Sequence, residues 1–255
     1  VNKMNTINTI ATASQLIHGD CLEEMPKLAD KSIDMILCDL PYGTTACKWD
    51  TIIPFEPLWT QYKRLIKDNG AIVLTASQPF TSALVMSNIE WFKYEWIWDK
   101  AKAANFPQVK YAPLKIHENV LVFSEGRNHY NPEMVKGQKR QKGGYFVSGE
   151  VAVMDGAPAI VNDIYYPKSI LDFSIADNKD AGLHPTQKPV ALFEYLIRTY
   201  TNEGDTVLDN CAGSGTTGIA ALHTKRNAIL IEKDEQYFNA ARERFDRETR
   251  QVEMW

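Results

Sequence analysis

The sequence predicts an α/β fold, a doubly wound and mostly parallel sheet with helices on both faces and one inserted region. Three observations predict it. Apolar runs of strand length alternate with segments of helix length through most of the chain, as consecutive βα units require. The run Ile33 to Cys38 is apolar almost throughout, which suits a strand buried on both faces. Late in the chain, Thr206-Val207-Leu208 leads through Asp209 into a glycine turn and a helix, and the next apolar run ends in Glu232. That order is the geometry of a nucleoside-binding βαβ unit.

Taken in order, Gln15 to His18 reads as a short strand, followed by Gly19-Asp20 and a helix from about Cys21 to Leu28. The buried strand comes next, and Thr44 to Pro57 is polar and proline-punctuated, the composition of a mobile loop. The spacing of Leu58, Tyr62, Leu65 and Ile66 predicts a helix stopped by Asn69-Gly70. Ala71 to Ala76 reads as a strand, Pro79 opens a helix through Leu84-Val85, and Phe92 to Trp98 is an aromatic strand. Glu118 to Phe123 is a further strand, and periodicity then fades from Ser124 to Leu183. A long irregular stretch inside a compact domain is more often functional than decorative, so residues 124–183 are read as an inserted recognition region. His184-Pro185-Thr186-Gln187-Lys188-Pro189 leads a helix through Leu192, Tyr195 and Leu196. After the 206–209 strand and its glycine turn come a helix through Ala221, a strand from Ala228 to Ile231, and a charged helix from Asp234 to about Arg250. The expected division is 1–123, 124–183 and 184–255.

A chain of 255 residues buries roughly three quarters of its unfolded surface and needs no staples. No apolar run approaches the roughly 20 residues of a membrane span, and the polar start does not read as a secretory signal. Cys21, Cys38, Cys47 and Cys211 form no CxxC pair, and the histidines show no metal-ligand spacing. Neither a disulfide framework nor a metal site is therefore expected, and a reducing cytoplasm is the expected location. The net charge of −4 hides an uneven distribution. Residues 100–144 hold nine Lys and Arg against three Glu, a local +6 that leaves −10 for the remainder. A basic island in an acidic chain is what local phosphate binding needs. Lys136, Lys139, Arg140 and Lys142 are its candidate phosphate contacts, with a solvated surface segment as the alternative.

Two short stretches carry the chemistry. Asp39-Leu40-Pro41-Tyr42-Gly43 closes the buried strand with a carboxylate, a rigid proline, an aromatic ring and a glycine. Tyr42 offers a stacking face for a planar ring, while Asp39 and a backbone carbonyl held by Pro41 can accept from an exocyclic amine. Alone, the stretch serves equally well as a tight turn at a strand end. In the second stretch Gly213, Gly215 and Gly218 let the backbone approach a ligand, and Glu232 is placed to take ribose hydroxyls. Its G-x-G-x-x-G spacing also matches a dinucleotide fingerprint. A pyrophosphate there wants bare backbone amides, and the carboxylate of Asp209 just before the turn would repel it. The same carboxylate suits the ammonium of a methionine moiety.

On these residues the chain resembles the amino-methylating DNA methyltransferases. Asp39-Leu40-Pro41-Tyr42 is similar to their D-P-P-Y catalytic motif and Asp209 to Gly215 to their methyl-donor motif. Residues 184–189 are similar to the segment preceding the donor strand, and Gly19-Asp20 to the piece whose acid meets the donor's adenine. The order, catalytic motif first and donor motif last, resembles the family's beta, circularly permuted arrangement, and Asp39 resembles the adenine-N6 group. The resemblance implies a Rossmann-like methyltransferase sheet, S-adenosyl-L-methionine as cofactor, double-stranded DNA as partner, and a base flipped from the duplex. It implies Asp39, Leu40, Pro41 and Tyr42 as catalytic residues. It implies Asp20, Cys21, Asp39, Lys188, Asp209, Cys211, Ala212, Gly213, Gly215, Thr216, Thr217, Glu232 and Lys233 as donor-binding residues, with a helix cap as the other reading of Lys188. Lys136, Lys139, Arg140 and Lys142 become DNA contacts, and Lys48, Trp49 and Asp50 either close over DNA or fill a loop. A homodimer and a cognate restriction enzyme are compatible with the resemblance and stay open. The sequence departs from the family at Leu40, in place of the first proline, and at Cys211-Ala212, where Pro-Phe or similar is common. Ring-carbon methylation would need a cysteine after a proline, and no Pro-Cys pair occurs. N4-cytosine methylation, a nicotinamide oxidoreductase and a non-catalytic DNA-binding module remain the alternatives.

Overall fold

The computed structural model describes residues 5–8, 13–44, 50–103, 105–142, 160–174 and 187–252. The strands are β1 (Asn5–Asn8), β2 (Ala13–His18), β3 (Ile33–Asp39), β4 (Ile66–Ala76), β5 (Phe92–Asp99), β6 (His117–Phe123), β7 (Val135–Lys142), β8 (Ile160–Tyr165), β9 (Ile170–Asp172), β10 (Thr206–Asp209) and β11 (Asn227–Glu232). The helices are α1 (Cys21–Glu24), α2 (Phe55–Leu65), α3 (Phe80–Ser87), α4 (Val190–Tyr200), α5 (Thr216–His223) and α6 (Glu235–Val252). The chain divides into two compact units, residues 1–131 with 169–255, and residues 132–168.

The larger unit carries a nine-stranded sheet in the order β1-β2-β11-β10-β3-β4-β6-β5-β9. The five strands from β2 to β4 in that order are mutually parallel, and β6 runs antiparallel to both β4 and β5. Alternate residues of β3 serve two cores. Met35 and Leu37 pack with Leu192, Phe193 and Leu196 of α4 and with Phe238 of α6. Ile36 and Cys38 pack with Leu58, Trp59 and Tyr62 of α2 and with Phe80 and Leu84 of α3. A strand covered on both faces has no polar side to present, which explains the apolar run from Met35 to Cys38. The chain leaves β3 toward β4 and leaves β10 toward β11, in opposite directions across the sheet. The carboxyl ends of β3 and β10 therefore flank the switch point where ligands of open α/β sheets bind. Asp34 helps fix their register: its carboxylate accepts from the Thr206 amide at 2.9 Å and from Lys67 at 2.7 Å.

Two expectations need correction. Asn69-Gly70 does not stop a helix, because α2 ends at Leu65 and Ile66 is already extended. The β3–β4 pairing jumps from Ile33–Ile66 to Met35–Ala71, so residues 67–70 bulge from the edge. A Cβ on Gly70 would lie 2.8 Å from the Asp34 carbonyl oxygen; the glycine serves a close backbone approach within β4. Residues 124–183 are also not uniformly irregular. β9 joins the main sheet beside β5, and β7 and β8 pair antiparallel in the smaller unit. There Gly137 makes room for the Tyr165 ring, whose hydroxyl donates to the Gln138 carbonyl at 2.9 Å. Trp91, Trp96 and Trp98 are buried and serve as packing residues.

Candidate active site

Four adjacent parallel strands end at one edge of the sheet, and each delivers a carboxylate there. Asp39 ends β3, Asp209 ends β10, Glu232 ends β11, and Asp20 lies two residues beyond the end of β2. The backbone ties these ends together: the Gly19 amide donates to the Glu232 carbonyl at 3.0 Å, and the Ala212 amide to the Ile231 carbonyl at 3.0 Å.

Asp39 is held by three side chains. Its Oδ1 accepts from the Tyr42 hydroxyl at 2.8 Å and from the Thr75 hydroxyl at the end of β4. Its Oδ2 accepts from the Lys188 ammonium at 2.6 Å. A carboxylate has about four lone-pair directions, so among the described residues one acceptor position remains. Tyr42 stays a protonated phenol: burial, then the charges of Asp39 and Glu118, push its pKa well above the usual value. Its ring stacks on Phe80 with centroids 5.3 Å apart. The turn beyond is clasped by Asp50, whose two oxygens accept from the amides of Gly43 at 2.8 Å and Thr44 at 2.9 Å. Gly43 has φ of 67°, a left-handed conformation that favours glycine.

The donor-side turn is also self-braced. Asp209, only 3% exposed, accepts from the Cys211 amide at 3.0 Å and from the Thr217 hydroxyl. Burial pushes its carboxyl up to about 6, against the pull of those hydrogen bonds. Glu232 accepts from the Gly213 amide at 2.7 Å and the Asp234 amide at 2.8 Å, and burial raises its pKa too. Gly213 and Gly215 have φ of 51° and 78°, and the Gly215 amide closes the turn on the Ala212 carbonyl at 2.8 Å. Asp20 caps α1 through the Leu22 amide at 2.9 Å and accepts from Lys233 at 2.9 Å. The Lys233 bond and charge hold its pKa below the usual carboxylate range. Thr216 accepts from the buried Arg244 guanidinium at 3.2 Å. Cys211 packs in one apolar cluster with Cys21 and Cys38, and burial pushes the Cys38 thiol up to about 12.

The structure thus brings Asp20, Asp39, Asp209, Gly213, Gly215 and Glu232 to one edge. It sends Lys188 to Asp39, and it turns Thr216 and Thr217 inward onto the scaffold. Lys136 and Lys139 are exposed on β7 of the smaller unit. The side chains of Arg140 and Lys142, and residues Lys48, Trp49, His184, Pro185 and Thr186, lie outside the described residues. Two cations of the basic island are used internally: Lys100 binds Glu118 at 2.9 Å and Lys115 binds the Ser77 hydroxyl. Sequence reasoning missed Thr75, Lys100, Glu118 and Arg244. Threonine in an apolar strand and glutamate at a strand start carry no local signal for a partner brought in by the fold.

A parallel sheet with a glycine turn and acidic strand ends at its switch point defines a nucleoside-binding α/β protein. The family model described as DNA methylase, of the N6 and N4 methyltransferases, matches residues 33–243, and the chain belongs to that family. It is 29% identical over 249 residues to the type II methyltransferase M.HpaI of Haemophilus parainfluenzae, covering 92% of this chain and 74% of that protein. It is 28% identical over 256 residues to the DNA adenine methyltransferase YhdJ of Escherichia coli K12, covering 92% and 83%. Among solved structures, the fold resembles the M1.HpyAVI–SAM complex (TM-score 0.63, 23% identity, 91% and 98% covered). It also resembles the cytosine-N4-specific PvuII DNA methyltransferase (TM-score 0.66, 16% identity, 97% and 96% covered). Among the described residues, no helix is long and apolar enough to cross a membrane.

Proposed function

We propose that this protein transfers a methyl group from S-adenosyl-L-methionine to the exocyclic N6 amine of adenine at specific sites in double-stranded DNA. The observation that carries the reading is the row of carboxylates on four neighbouring strand ends, with Asp39 and Tyr42 at one end of it. Such an edge fits a cationic sulfonium donor with hydroxyls and an ammonium to satisfy, and it disfavours the pyrophosphate of a nicotinamide dinucleotide. Glu232 keeps spare lone pairs for ribose hydroxyls while bracing Gly213. Asp20 is proposed to lie at the donor's adenine. Asp209 acts by holding the turn that Gly213 and Gly215 form.

When bound, the donor supplies an electrophilic methyl carbon on a sulfonium sulfur, which keeps the C–S electron pair as the amine nitrogen takes the carbon. An exocyclic amine is a poor nucleophile because its lone pair is delocalised into the ring. The free acceptor position of Asp39, with the carbonyl of Leu40 or Pro41, takes hydrogen bonds from the amine and favours a pyramidal nitrogen. Asp39 then accepts the proton that the alkylated amine sheds. Catalysis is positioning and electrostatics, with no covalent enzyme intermediate. Tyr42 stacks on the extruded base, and stacking worth roughly 1–3 kcal/mol offsets part of the cost of unpairing. Residues 124–183 are proposed to read the target, with Lys136, Lys139, Arg140 and Lys142 on phosphates.

Adenine is favoured by the likeness to an adenine methyltransferase across most of both chains. The PvuII-like fold keeps N4-cytosine as the second reading. Tritiated methyl transfer to duplex DNA, followed by digestion to nucleosides, tests both. Label in N6-methyladenine is expected, label in N4-methylcytosine supports the second reading, and no label in either overturns the proposal.

A further inference from the structure

Lys188 is nearly inaccessible, its side chain 7% exposed, and it lies between two carboxylates. Its ammonium is 2.6 Å from Asp39 Oδ2 and 3.4 Å from Glu118 Oε2, and 5.6 Å from the centre of the Tyr42 ring. Glu118 is held in turn by Lys100 at 2.9 Å. Four charges therefore alternate from β3 through the segment before α4 to β6 and the end of β5, and their sum is zero. Burial pushes the Lys188 pKa down, but Asp39 and Glu118 together push it further up, so it is an ammonium. Burial likewise opposes ionisation of Glu118, and Lys188 and Lys100 outweigh it.

A buried ammonium with two carboxylate partners has no reason to leave them for a third. The donor's carboxylate would have to displace Asp39 or Glu118 and strand a buried charge, a costly exchange. The geometry has another consequence. With Lys188 on Oδ2 and Thr75 and Tyr42 on Oδ1, the Asp39 carboxylate plane is fixed. The one remaining acceptor direction is then set before a base arrives.

We propose that Lys188 is a positioning residue for methyl transfer, fixing the orientation of Asp39, with Glu118 and Lys100 holding Lys188 in place, and that it is not a donor ligand. This role rests on the proposed part of Asp39 in the reaction. Misplacing a reacting group by about 1 Å costs on the order of 10²-fold in rate, so the effect belongs in kcat and not in donor affinity.

The test is a paired measurement on the whole protein with Lys188→Met and Lys188→Arg: transfer kinetics on duplex DNA, and calorimetric titration with S-adenosyl-L-methionine. For Lys188→Met we expect kcat to fall on the order of 10²-fold while donor Kd and DNA KM stay within about threefold. Lys188→Arg, which keeps the charge in a different shape, is expected to recover about tenfold of that loss. A tenfold weaker donor Kd with wild-type kcat at saturation would overturn the assignment in favour of a donor contact. Unchanged kcat in both variants would overturn it too. Should the Met variant lose its cooperative melt, the Arg variant decides alone: reduced kcat with unchanged donor Kd supports the role, and wild-type kcat defeats it. A wild-type protein that methylates no DNA is a separate outcome, defeating the function on which this role rests.

Discussion

Asp39 and Asp209 occupy sister positions, each ending one of two adjacent parallel strands, yet the fold treats them oppositely. Asp209 sits at 3% exposure among neutral donors, and burial pushes it up to about 6. Asp39 keeps 26% of its side chain exposed and has an ammonium at 2.6 Å. One pins the glycine turn, and the other, with an acceptor position to spare, is the proposed working group. The difference lies in what the rest of the chain brings: Thr217 from the helix that follows the turn, against Lys188 from a segment 149 residues away.

Breaking the working member should cost most. Asp39→Ala is expected to lower kcat on the order of 10³-fold and to lower the melting temperature as well, because it leaves the buried Lys188 ammonium with Glu118 alone; single-turnover transfer and calorimetric melting check the two effects. If Asp209 is the pin, Asp209→Ala should lose about 1–3 kcal/mol of stability through the turn alone, because it strands the Cys211 amide and the Thr217 hydroxyl. Denaturant midpoints measure that loss, and unaltered midpoints would remove Asp209 from the role of pin.

The pH dependence sharpens the contrast. A carboxyl whose folded pKa is raised stabilises the protein below its unfolded value of about 3.9 and loses that contribution as pH climbs through the folded value. Asp209 should therefore cost stability between about pH 4 and 6, on the order of 2–3 kcal/mol. Asp209→Asn, which keeps an acceptor for the turn, should flatten that slope. A similar stability–pH curve in the variant would place the titration elsewhere.

The turn itself gives a smaller effect. Gly215→Ala forces a side chain into φ of 78° and sets its Cβ 3.2 Å from that of Ala241. About 1–2 kcal/mol of stability is expected to go, together with donor affinity, and both are read in one thermal titration. Smallest is His223, whose two ring nitrogens lie 2.7 Å from Glu194 and 2.9 Å from Glu248 and donate to both carboxylates when the ring is protonated. Its pKa is raised, the Glu194 hydrogen bond leading and burial opposing. The stabilisation is present below pH about 6.5 and fades as the ring deprotonates. Partial exposure keeps it under about 1 kcal/mol, and His223→Gln should remove the slope without touching transfer.

What could be read from the sequence was what is local. Asp39 to Tyr42 are contiguous, and Asp209, the glycines and Glu232 fall within one βαβ unit whose spacing is set by a single helix. The pairings that finish the site are not local. Lys188 looked like a helix cap or a donor contact because only the fold carries it to Asp39. Glu118 looked like an ordinary strand residue until Lys100 and Lys188 closed on it. Asn69-Gly70 carried a helix-stop signal that a bulge uses equally well. β7 was hidden for a different reason: Val-Lys-Gly-Gln-Lys-Arg-Gln-Lys has no apolar alternation, so its pairing with β8 leaves no period to detect.

The most direct test is a crystal structure with S-adenosyl-L-methionine soaked in. Donor density lying over Gly213, with its ribose on Glu232 and its methyl carbon facing the free acceptor side of Asp39, is the predicted result. Density seated away from that edge of the sheet, or a methyl carbon turned from Asp39, would contradict it.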